Sequence, residues 1–266
     1  MYISTFSVFR SPTNQGLKNL RRLVSTSGGV LRLLRAACTW PVFSLTSFRM
    51  LDSLRRQGIA PRTVIDAGAN VGQFAVAAIR LLEPATLYSF EPLPGIVDRL
   101  QKNLAGIEGV AVLPVALGDH EGSSSFHVNA HSHSSSILPL AAAHLAAFPN
   151  ATEVQTIKVP MTTLDSFFAD KHLDKPVLLK LDVQGYEAKV LAGGRQILSR
   201  TKWVVAETSL RPMYEGEPLF LDLVEMMKGF GFRFLRPVGW LKEPHSGEII
   251  QIDALFERIG AETAGF

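Results

Sequence analysis

The stretch Thr63-Val-Ile-Asp-Ala-Gly-Ala-Asn-Val-Gly72 decides the fold that we expect for this chain. It predicts a short apolar strand that ends in an acid, then a turn with two glycines, after which 73–82 continues with good helix formers. A strand, a tight glycine turn and a helix are the unit with which open α/β sheets hold the polar part of a nucleotide-like cofactor. We therefore expect Gly68 and Gly72 to let the backbone approach a ligand closely.

Asn70 indicates which cofactor the turn holds. The dinucleotide fingerprint is G-x-G-x-x-G, and its second glycine makes room for a pyrophosphate. Asn70 stands at that second position, so the turn suits a smaller, amino-acid-like group. This favours S-adenosylmethionine (SAM) over NAD. Asp66 at the strand end is expected either to accept a hydrogen bond from an ammonium group or to hold the turn itself.

Predicted strands and helices alternate along the chain, which is typical of an α/β, doubly wound parallel sheet. The expected strands are 63–66, 86–90, 110–116, 177–181 and 203–206, with closing strands 233–237 and 249–256. The expected helices include 48–58, 95–104, 187–198 and 219–230. Between the third and fourth strands, 122–128 and 154–159 predict an antiparallel pair with an alanine-rich helix near 140–148, which we interpret as an insertion over the ligand face.

Length and composition limit the class of protein. With 266 residues and 47% apolar composition, the chain can bury one large core, which fits one α/β domain plus an extension. The single cysteine, Cys38, excludes an internal disulfide framework and a multi-cysteine metal site, and it fits a reducing, cytoplasmic setting. No apolar run reaches the roughly 18 residues that a membrane-spanning helix needs.

Charge is distributed unevenly along the chain. Residues 1–51 carry seven basic side chains and no acid, which leaves 20 basic and 24 acidic residues for the remainder. A mildly acidic catalytic domain is a poor candidate for a nucleic-acid substrate. Residues 17–40 resemble a basic surface helix with peripheral contact to an anionic membrane. A structural cap on the sheet edge and an Arg- and Ser-rich transit peptide are the alternatives.

Other strand ends supply further candidate cofactor ligands. Glu91 ends the second strand, where an acid in such a sheet pairs with the two ribose hydroxyls of a nucleoside. NAD enzymes use the same arrangement, so Glu91 alone does not choose between cofactors. Asp119 follows the third strand, where it is expected to accept from the exocyclic amine of adenine or simply to form a turn.

The run Leu178-Leu-Lys-Leu-Asp-Val-Gln-Gly-Tyr-Glu187 carries the candidate catalytic residues. Lys180 and Asp182 are two residues apart at a strand end, so both side chains point to the same side. Asp182 would take the proton of a substrate hydroxyl, and Lys180 would keep that carboxylate ionised or stabilise a developing alkoxide. The alternative is a buried pair that only braces the sheet. Glu207 ends the next strand and is a second candidate base.

Three further residues are weaker candidates for contact with the substrate. Tyr214 follows Glu207 in a predicted loop that would close over the substrate. His131 and His133 lie in a serine-rich loop and are two residues apart, but no third metal ligand is evident, so we expect no metal site.

These motifs together resemble the FkbM family of SAM-dependent methyltransferases. The similarity runs from about Arg62 to Arg258 and rests on the following segments: 64–74, Phe90-Glu-Pro92, Ala116-Leu-Gly-Asp119, Thr163-Leu-Asp165, 179–187 with Val190-Leu-Ala-Gly-Gly194, and Asp253-Ala-Leu-Phe256. The resemblance implies a seven-stranded class I methyltransferase fold and contact of Gly68, Asn70 and Glu91 with SAM. It also implies O-methylation of a hydroxyl on a sugar, glycolipid or polyketide, but it does not settle the catalytic base.

The resulting domain prediction is a basic, partly helical extension over 1–58, a methyltransferase domain over 59–260 and a short tail over 261–266.

Two other functions stay open at this point. A non-catalytic SAM-binding scaffold would keep the cofactor turn without turnover, and an NAD-dependent oxidoreductase is disfavoured by Asn70. An N-methyltransferase would usually carry an Asn/Asp-Pro-Pro-aromatic loop after the fourth strand, where this chain has Asp182-Val-Gln-Gly185.

Overall fold

A computed structural model of the protein describes residues 27–129, 135–148 and 153–260. The chain separates into two compact units, which divide between Pro41 and Val42. The smaller unit contains helix α1 (Ser27–Thr39), within the segment 17–40 that the sequence predicted as a basic surface helix. The part of that segment before Ser27 and the tail at 261–266 lie outside the described residues, and the predicted domain boundaries stay predictions. No helix within the described ranges has the length and apolar character to cross a bilayer.

The larger unit contains the remaining elements. Its helices are α2 (Leu45–Arg56), α3 (Gln73–Leu81), α4 (Pro94–Leu104), α5 (Ala142–Ala147), α6 (Leu164–Phe167), α7 (Glu187–Ala192), α8 (Arg195–Arg200) and α9 (Phe220–Gly229). Its strands are β1 (Thr63–Ala67), β2 (Thr86–Phe90), β3 (Val110–Leu113), β4 (Ala116–Leu117), β5 (Gly122–Asn129), β6 (Glu153–Thr162), β7 (Val177–Leu181), β8 (Thr201–Ser209), β9 (Phe232–Lys242) and β10 (Ile249–Arg258).

Seven strands form one sheet in the order β3-β2-β1-β7-β8-β10-β9. In this order the first five strands are parallel to one another, and β10 is antiparallel to both of its neighbours, β8 and β9. This confirms the predicted α/β fold with an antiparallel closing strand. Every residue of β1 and of β7 is buried, as expected for central parallel strands that are covered on both faces.

The centre of the sheet is a topological switch point, where ligands of open α/β sheets bind. β1 pairs with β2 on one side and with β7, more than a hundred residues later in the chain, on the other. The register places Asp66 directly beside Lys180 and Ala67 beside Leu181. The chain segments that follow β1 and β7 therefore emerge next to each other at the carboxyl edge of the sheet.

A second, three-stranded sheet in the order β4-β6-β5 forms the predicted insertion. β5 and β6 are antiparallel, as predicted. The prediction of a single strand over 110–116 is wrong, because this segment forms two short strands that belong to different sheets. β3 ends at Leu113, and the next residue is Pro114, which has no N–H to continue the ladder. Ala116 and Leu117 then pair with β6.

The prediction of a single helix over 187–198 is also wrong, because this segment forms two helices, α7 and α8. The break falls at Gly193 and Gly194. A Cβ on Gly193 would lie 2.1 Å from the carbonyl oxygen of Gly118, and one on Gly194 would lie 2.7 Å from Leu164 Cδ1. The two glycines thus let the helix pair pack directly on the backbone after β4 and on α6.

Gly68, in the turn after β1, lies against the end of β7. Its φ is +75°, and a Cβ on it would lie 1.9 Å from the carbonyl oxygen of Asp182. The amide of Asp182 donates to the carbonyl of Ala67 at 3.1 Å. The sequence predicted that Gly68 admits a ligand, whereas the first atom that a side chain would meet belongs to the neighbouring strand end.

We predict that Gly68→Ala destabilises the protein far more than Gly58→Ala. Gly58 has nearly the same φ, +76°, but nothing lies within 4 Å of its Cβ position. Gly58→Ala should lower the free energy of unfolding by about 1–2 kcal/mol, the cost of left-handed backbone. Gly68→Ala adds overpacking and should cost roughly 3–5 kcal/mol. Urea titration of both variants measures the difference, and equal losses would contradict the packing role of Gly68.

Candidate active site

A cavity of about 440 Å³ opens beside the carboxyl ends of β1, β2, β7 and β8. Its volume falls in the range of about 300–1,000 Å³ that is typical of small-molecule sites. Six of the predicted site residues line it: Gly68, Asn70, Glu91, Lys180, Asp182 and Glu207. The fold thus gathers predicted cofactor ligands and predicted catalytic residues around one space.

Glu91 and the turn after β1 form a fixed unit. The Glu91 carboxylate accepts from the amide of Asn70 and from the amide of Leu93, each at 3.0 Å. Asn70 has a φ of +47°, and its Oδ1 accepts from the Val71 amide at 2.7 Å. Burial raises the pKa of Glu91 to about 7, although both backbone amides lower it. One carboxylate therefore orients the turn while lining the cavity.

Asp66 and Gly72, two of the predicted cofactor residues, do not line the cavity. Asp66 is fully buried, and its Oδ1 lies 3.2 Å from the ammonium of Lys180. Asp66 is thus linked to the turn through Lys180, which donates to the carbonyl of Gly68. Gly72 stands at the start of α3 with a φ of +94°, and a Cβ there would lie 2.9 Å from Leu100 Cδ1. Gly72 therefore serves the packing of α3 on α4.

Lys180 connects the turn after β1 with the end of β7. Its Nζ lies 3.0 Å from the carbonyl of Gly68, 3.2 Å from Asp66 and 3.3 Å from Asp182 Oδ2. Burial lowers the pKa of Lys180, but the carboxylates of Asp182 and Asp66 outweigh burial and raise it above its ordinary value. An ammonium group has three N–H donors, and these three acceptors match them. The geometry favours charge support of Asp182 over donation to a substrate alkoxide.

Gln184 bridges the two candidate bases. Its Nε2 donates to Asp182 Oδ1 at 2.6 Å and to Glu207 Oε2 at 2.7 Å. Its Oε1 accepts from the hydroxyl of Tyr214. The residue adopts a φ of +56° in the turn after β7. The sequence analysis assigned no role to Gln184. The feature that could have identified it is a side-chain amide two residues after Asp182, at the same strand end.

Glu207 and Asp182 differ in their surroundings. Burial raises the pKa of Glu207 well above its ordinary value, and the neighbouring carboxylates of Asp182 and Asp253 raise it further. The side chain of Asp182 is 33% exposed and lies beside the Lys180 ammonium. Burial likewise raises the pKa of Asp253, a cavity-lining residue, to about 7. The arrangement favours a protonated Glu207 beside the ion pair of Lys180 and Asp182.

Tyr214 and Asp119 lie elsewhere than predicted. Tyr214 is completely buried and does not line the cavity, because its hydroxyl is taken up by Gln184. Asp119 also does not line the cavity. Its carboxylate pairs with His120 and with Lys189, each at 2.9 Å, and these contacts lower its pKa to about 2. The Asp119 carboxylate thus takes part in surface ion pairs, and its contact with adenine stays a prediction.

His131 and His133 lie outside the described residues. Among the described residues, no cluster of His, Cys, Asp or Glu is arranged to hold a metal ion. The insertion and the last two strands contribute cavity-lining residues that the sequence did not reveal: Phe126, Ile137, His144, Phe148, Trp240 and Gln251. They come from distant segments without a shared motif, so only the folded chain brings them together.

Comparison with known proteins identifies the family. Residues 66–234 match the model of the methyltransferase FkbM domain. The 2-O-methyltransferase NoeI of Sinorhizobium fredii is 26% identical over 71% of this chain and 80% of its own length. The hexuronic acid methyltransferase AglP of Haloferax volcanii is 28% identical over 53% of this chain and 54% of its own.

A solved structure shows a weaker likeness. The magnesium protoporphyrin IX methyltransferase ChlM of Synechocystis, which was solved with SAM bound, superposes with a TM-score of 0.42 at 13% identity, over 92% of each chain.

The family match covers more than half of this chain and includes the turn after β1, Glu91, the end of β7 and Glu207. The protein therefore belongs to the FkbM family of methyltransferases.

Proposed function

We propose that this protein is a SAM-dependent O-methyltransferase that acts on a hydroxyl group of a sugar, glycolipid or polyketide-type acceptor. The observation that carries the proposal is the pair of carboxylates at the ends of β7 and β8. Asp182 and Glu207 share the amide of Gln184 at 2.6 and 2.7 Å and line the same cavity as the turn after β1. A carboxylate beside a methyl donor is the group that a hydroxyl nucleophile requires.

The residues around the turn fit SAM, the methyl donor of the family. Glu91 lines the cavity with a carboxylate already oriented by two backbone amides, and a carboxylate is suited to the two ribose hydroxyls. Apolar side chains of Leu93, Val115 and Leu117 line the same cavity and would cover the adenine. Asn70 would bind the amino-acid end. SAM supplies a methyl group already activated by the sulfonium.

The protein itself mainly aligns the reactants and handles one proton. Asp182 would take the proton of the acceptor hydroxyl, whose oxygen would receive the methyl group that SAM supplies by in-line displacement. Lys180 supports Asp182 as its ion-pair partner, and Glu207, in its protonated form, would orient the hydroxyl. Alignment of two reactants can contribute roughly 7–11 kcal/mol, and a general base about 10²–10⁴-fold in rate.

The curated relatives support oxygen as the acceptor atom. One is named a 2-O-methyltransferase and another a hexuronic acid methyltransferase. Both names fit a hydroxylated acceptor. Membership in a methyltransferase family counts against the NAD-dependent oxidoreductase, and a SAM-binding scaffold without turnover stays the alternative. Mass spectrometry of glycolipids from a deletion strain would identify the acceptor as the species that loses the mass of one CH₂.

We predict that Asp182→Asn lowers kcat about 10²–10⁴-fold and leaves SAM affinity nearly unchanged, because the variant removes the base without touching the turn after β1. Methyl transfer from labelled SAM to hydroxylated acceptors measures kcat, and calorimetry measures affinity. Asp98→Asn, which changes an exposed aspartate on α4, is the control. Full activity of Asp182→Asn would remove Asp182 from the mechanism, and wild-type protein that binds SAM without turnover would favour the scaffold.

We predict that Glu91→Gln raises the Kd for SAM about tenfold to a hundredfold, as expected for loss of a charged hydrogen-bond acceptor. Because the pKa of Glu91 is about 7, its carboxylate gains a proton as the pH falls from about 8 to about 6. SAM affinity of the wild type should therefore decrease over this interval, and the decrease should be smaller in Glu91→Gln. Calorimetry with exposed Glu108→Gln as the control tests this; parallel pH profiles would contradict it.

Helix α1 supports the proposal that the basic segment contacts an anionic membrane. Leu31 and Leu34 are 70% and 57% exposed, and they are three residues apart on the same face of the helix. Arg32 and Arg35 are also exposed. Exposed leucines next to arginines are the composition of a helix that lies at the surface of an anionic bilayer.

We predict that Leu31→Gln/Leu34→Gln weakens binding to phosphatidylglycerol vesicles severalfold, because each leucine loses apolar area buried in the interface. Co-sedimentation with phosphatidylcholine vesicles should show little binding of either protein. Leu221→Gln is the matched control, since Leu221 is 73% exposed on α9. If the double variant sediments like the wild type, α1 does not contact the bilayer through this face.

A further inference from the structure

His144 is a buried cavity-lining side chain that the mechanism above does not use. It lies on α5 of the insertion and is only 4% exposed. Within the part of the chain that the structure describes, neither Nδ1 nor Nε2 has a hydrogen-bond partner. Buried polar side chains are bonded in the large majority of proteins, and an imidazole without a partner reduces stability. Such a group in a cavity wall indicates contact with a polar ligand.

The position of His144 is fixed relative to the candidate bases. Its ring centroid lies 5.4 Å from that of Phe148 and 5.5 Å from that of Tyr214. The hydroxyl of the same Tyr214 donates to Gln184, which bridges Asp182 and Glu207. His144 and the Gln184 bridge between Asp182 and Glu207 therefore contact the same tyrosine, and His144, Asp182 and Glu207 line one cavity.

The backbone reinforces this placement. The amide of Ala141, just before α5, donates to the carbonyl of Met213 at 2.9 Å. The amide of Glu215 donates to the carbonyl of Pro139, also at 2.9 Å. These two bonds tie the start of α5 to the segment around Tyr214. The imidazole is thus part of a fixed wall.

The chemistry of the imidazole defines what it would bind. Burial lowers the pKa of His144, so the ring is neutral at pH 7, with one nitrogen as donor and the other as acceptor. A hydroxyl group, which also donates and accepts, is its natural partner. The neighbouring wall combines Ser135 with the apolar side chains of Phe126 and Ile137. This mixture suits a carbon ring that carries several hydroxyl groups.

We propose that His144 binds the acceptor through a second hydroxyl group, distinct from the one that gives its proton to Asp182. The acceptor would therefore carry at least two hydroxyls on one compact frame, as in a sugar ring, and His144 would select for that pattern. This inference rests on the proposed function and names a specificity-determining residue of the same site.

The test compares His144→Phe, His144→Gln and the control Leu145→Ala on methyl hexosides, methyl hexuronides and their monodeoxy analogues. Phenylalanine keeps the ring stacked on Phe148 and Tyr214 but removes both nitrogens. The KM for the acceptor should rise about tenfold to a hundredfold, the cost of leaving a buried hydroxyl unpaired. The value of kcat and SAM affinity should change little. Glutamine should restore part of the KM, and Leu145→Ala, an exposed residue of α5, should match the wild type.

The monodeoxy analogues locate the hydroxyl that His144 recognises. Wild-type protein should discriminate against one analogue, and His144→Phe should lose that discrimination. If the wild type transfers methyl groups, two results would overturn the proposal. One is an acceptor KM of His144→Phe equal to that of the wild type, and the other is discrimination between the analogues that persists in His144→Phe. If the wild type bound SAM but methylated no hydroxylated probe, the proposed function itself would fail, and the role of His144 with it.

A second measurement covers the case in which His144→Phe does not fold. In protein labelled at histidine and saturated with S-adenosylhomocysteine, the ring resonances of His144, assigned from the His144→Gln spectrum, should shift when the accepted probe is added. The exposed His172 provides an internal reference. Unshifted His144 resonances at a probe concentration that saturates turnover would overturn the proposal.

Discussion

The ammonium of Lys180 joins two strand ends that are far apart in sequence, and the geometry of the site depends on this contact. A buried cation requires compensating charge and hydrogen bonds. Here Asp66, Asp182 and the carbonyl of Gly68 supply them at 3.0 to 3.3 Å. Because Asp66 and Lys180 are also register partners in adjacent strands, the ion pair lies within the sheet itself. The turn after β1 and the end of β7 are thereby held as one body.

This arrangement separates two carboxylates that would otherwise be equivalent. Asp182 lies within 3.3 Å of the lysine, whereas burial and acidic neighbours raise the pKa of Glu207. Gln184 donates to both and therefore fixes their spacing without supplying charge. Two carboxyl groups in such different surroundings can take different roles in one active site.

The sequence was informative at three of the strand ends that carry predicted site residues. Parallel strands end at one edge, so Glu91, Asp182 and Glu207 were predicted near one another, and they line one cavity. It was misleading where one sequence pattern covers two environments, as in the predicted strand 110–116, which Pro114 divides between two sheets. Gln184 and His144 were not assigned because their roles arise from contacts with Tyr214, which only tertiary packing creates.

Gly68 shows that a sequence motif can be retained after the activity associated with it is lost. The space for its side chain is taken by the backbone of Asp182, so selection for folding alone is enough to retain glycine at this position. A relative that no longer transferred methyl groups would still carry the glycine, and searches based on the turn would still count that relative as an enzyme. Glycine at position 68 is therefore a marker of the fold rather than of methyl transfer.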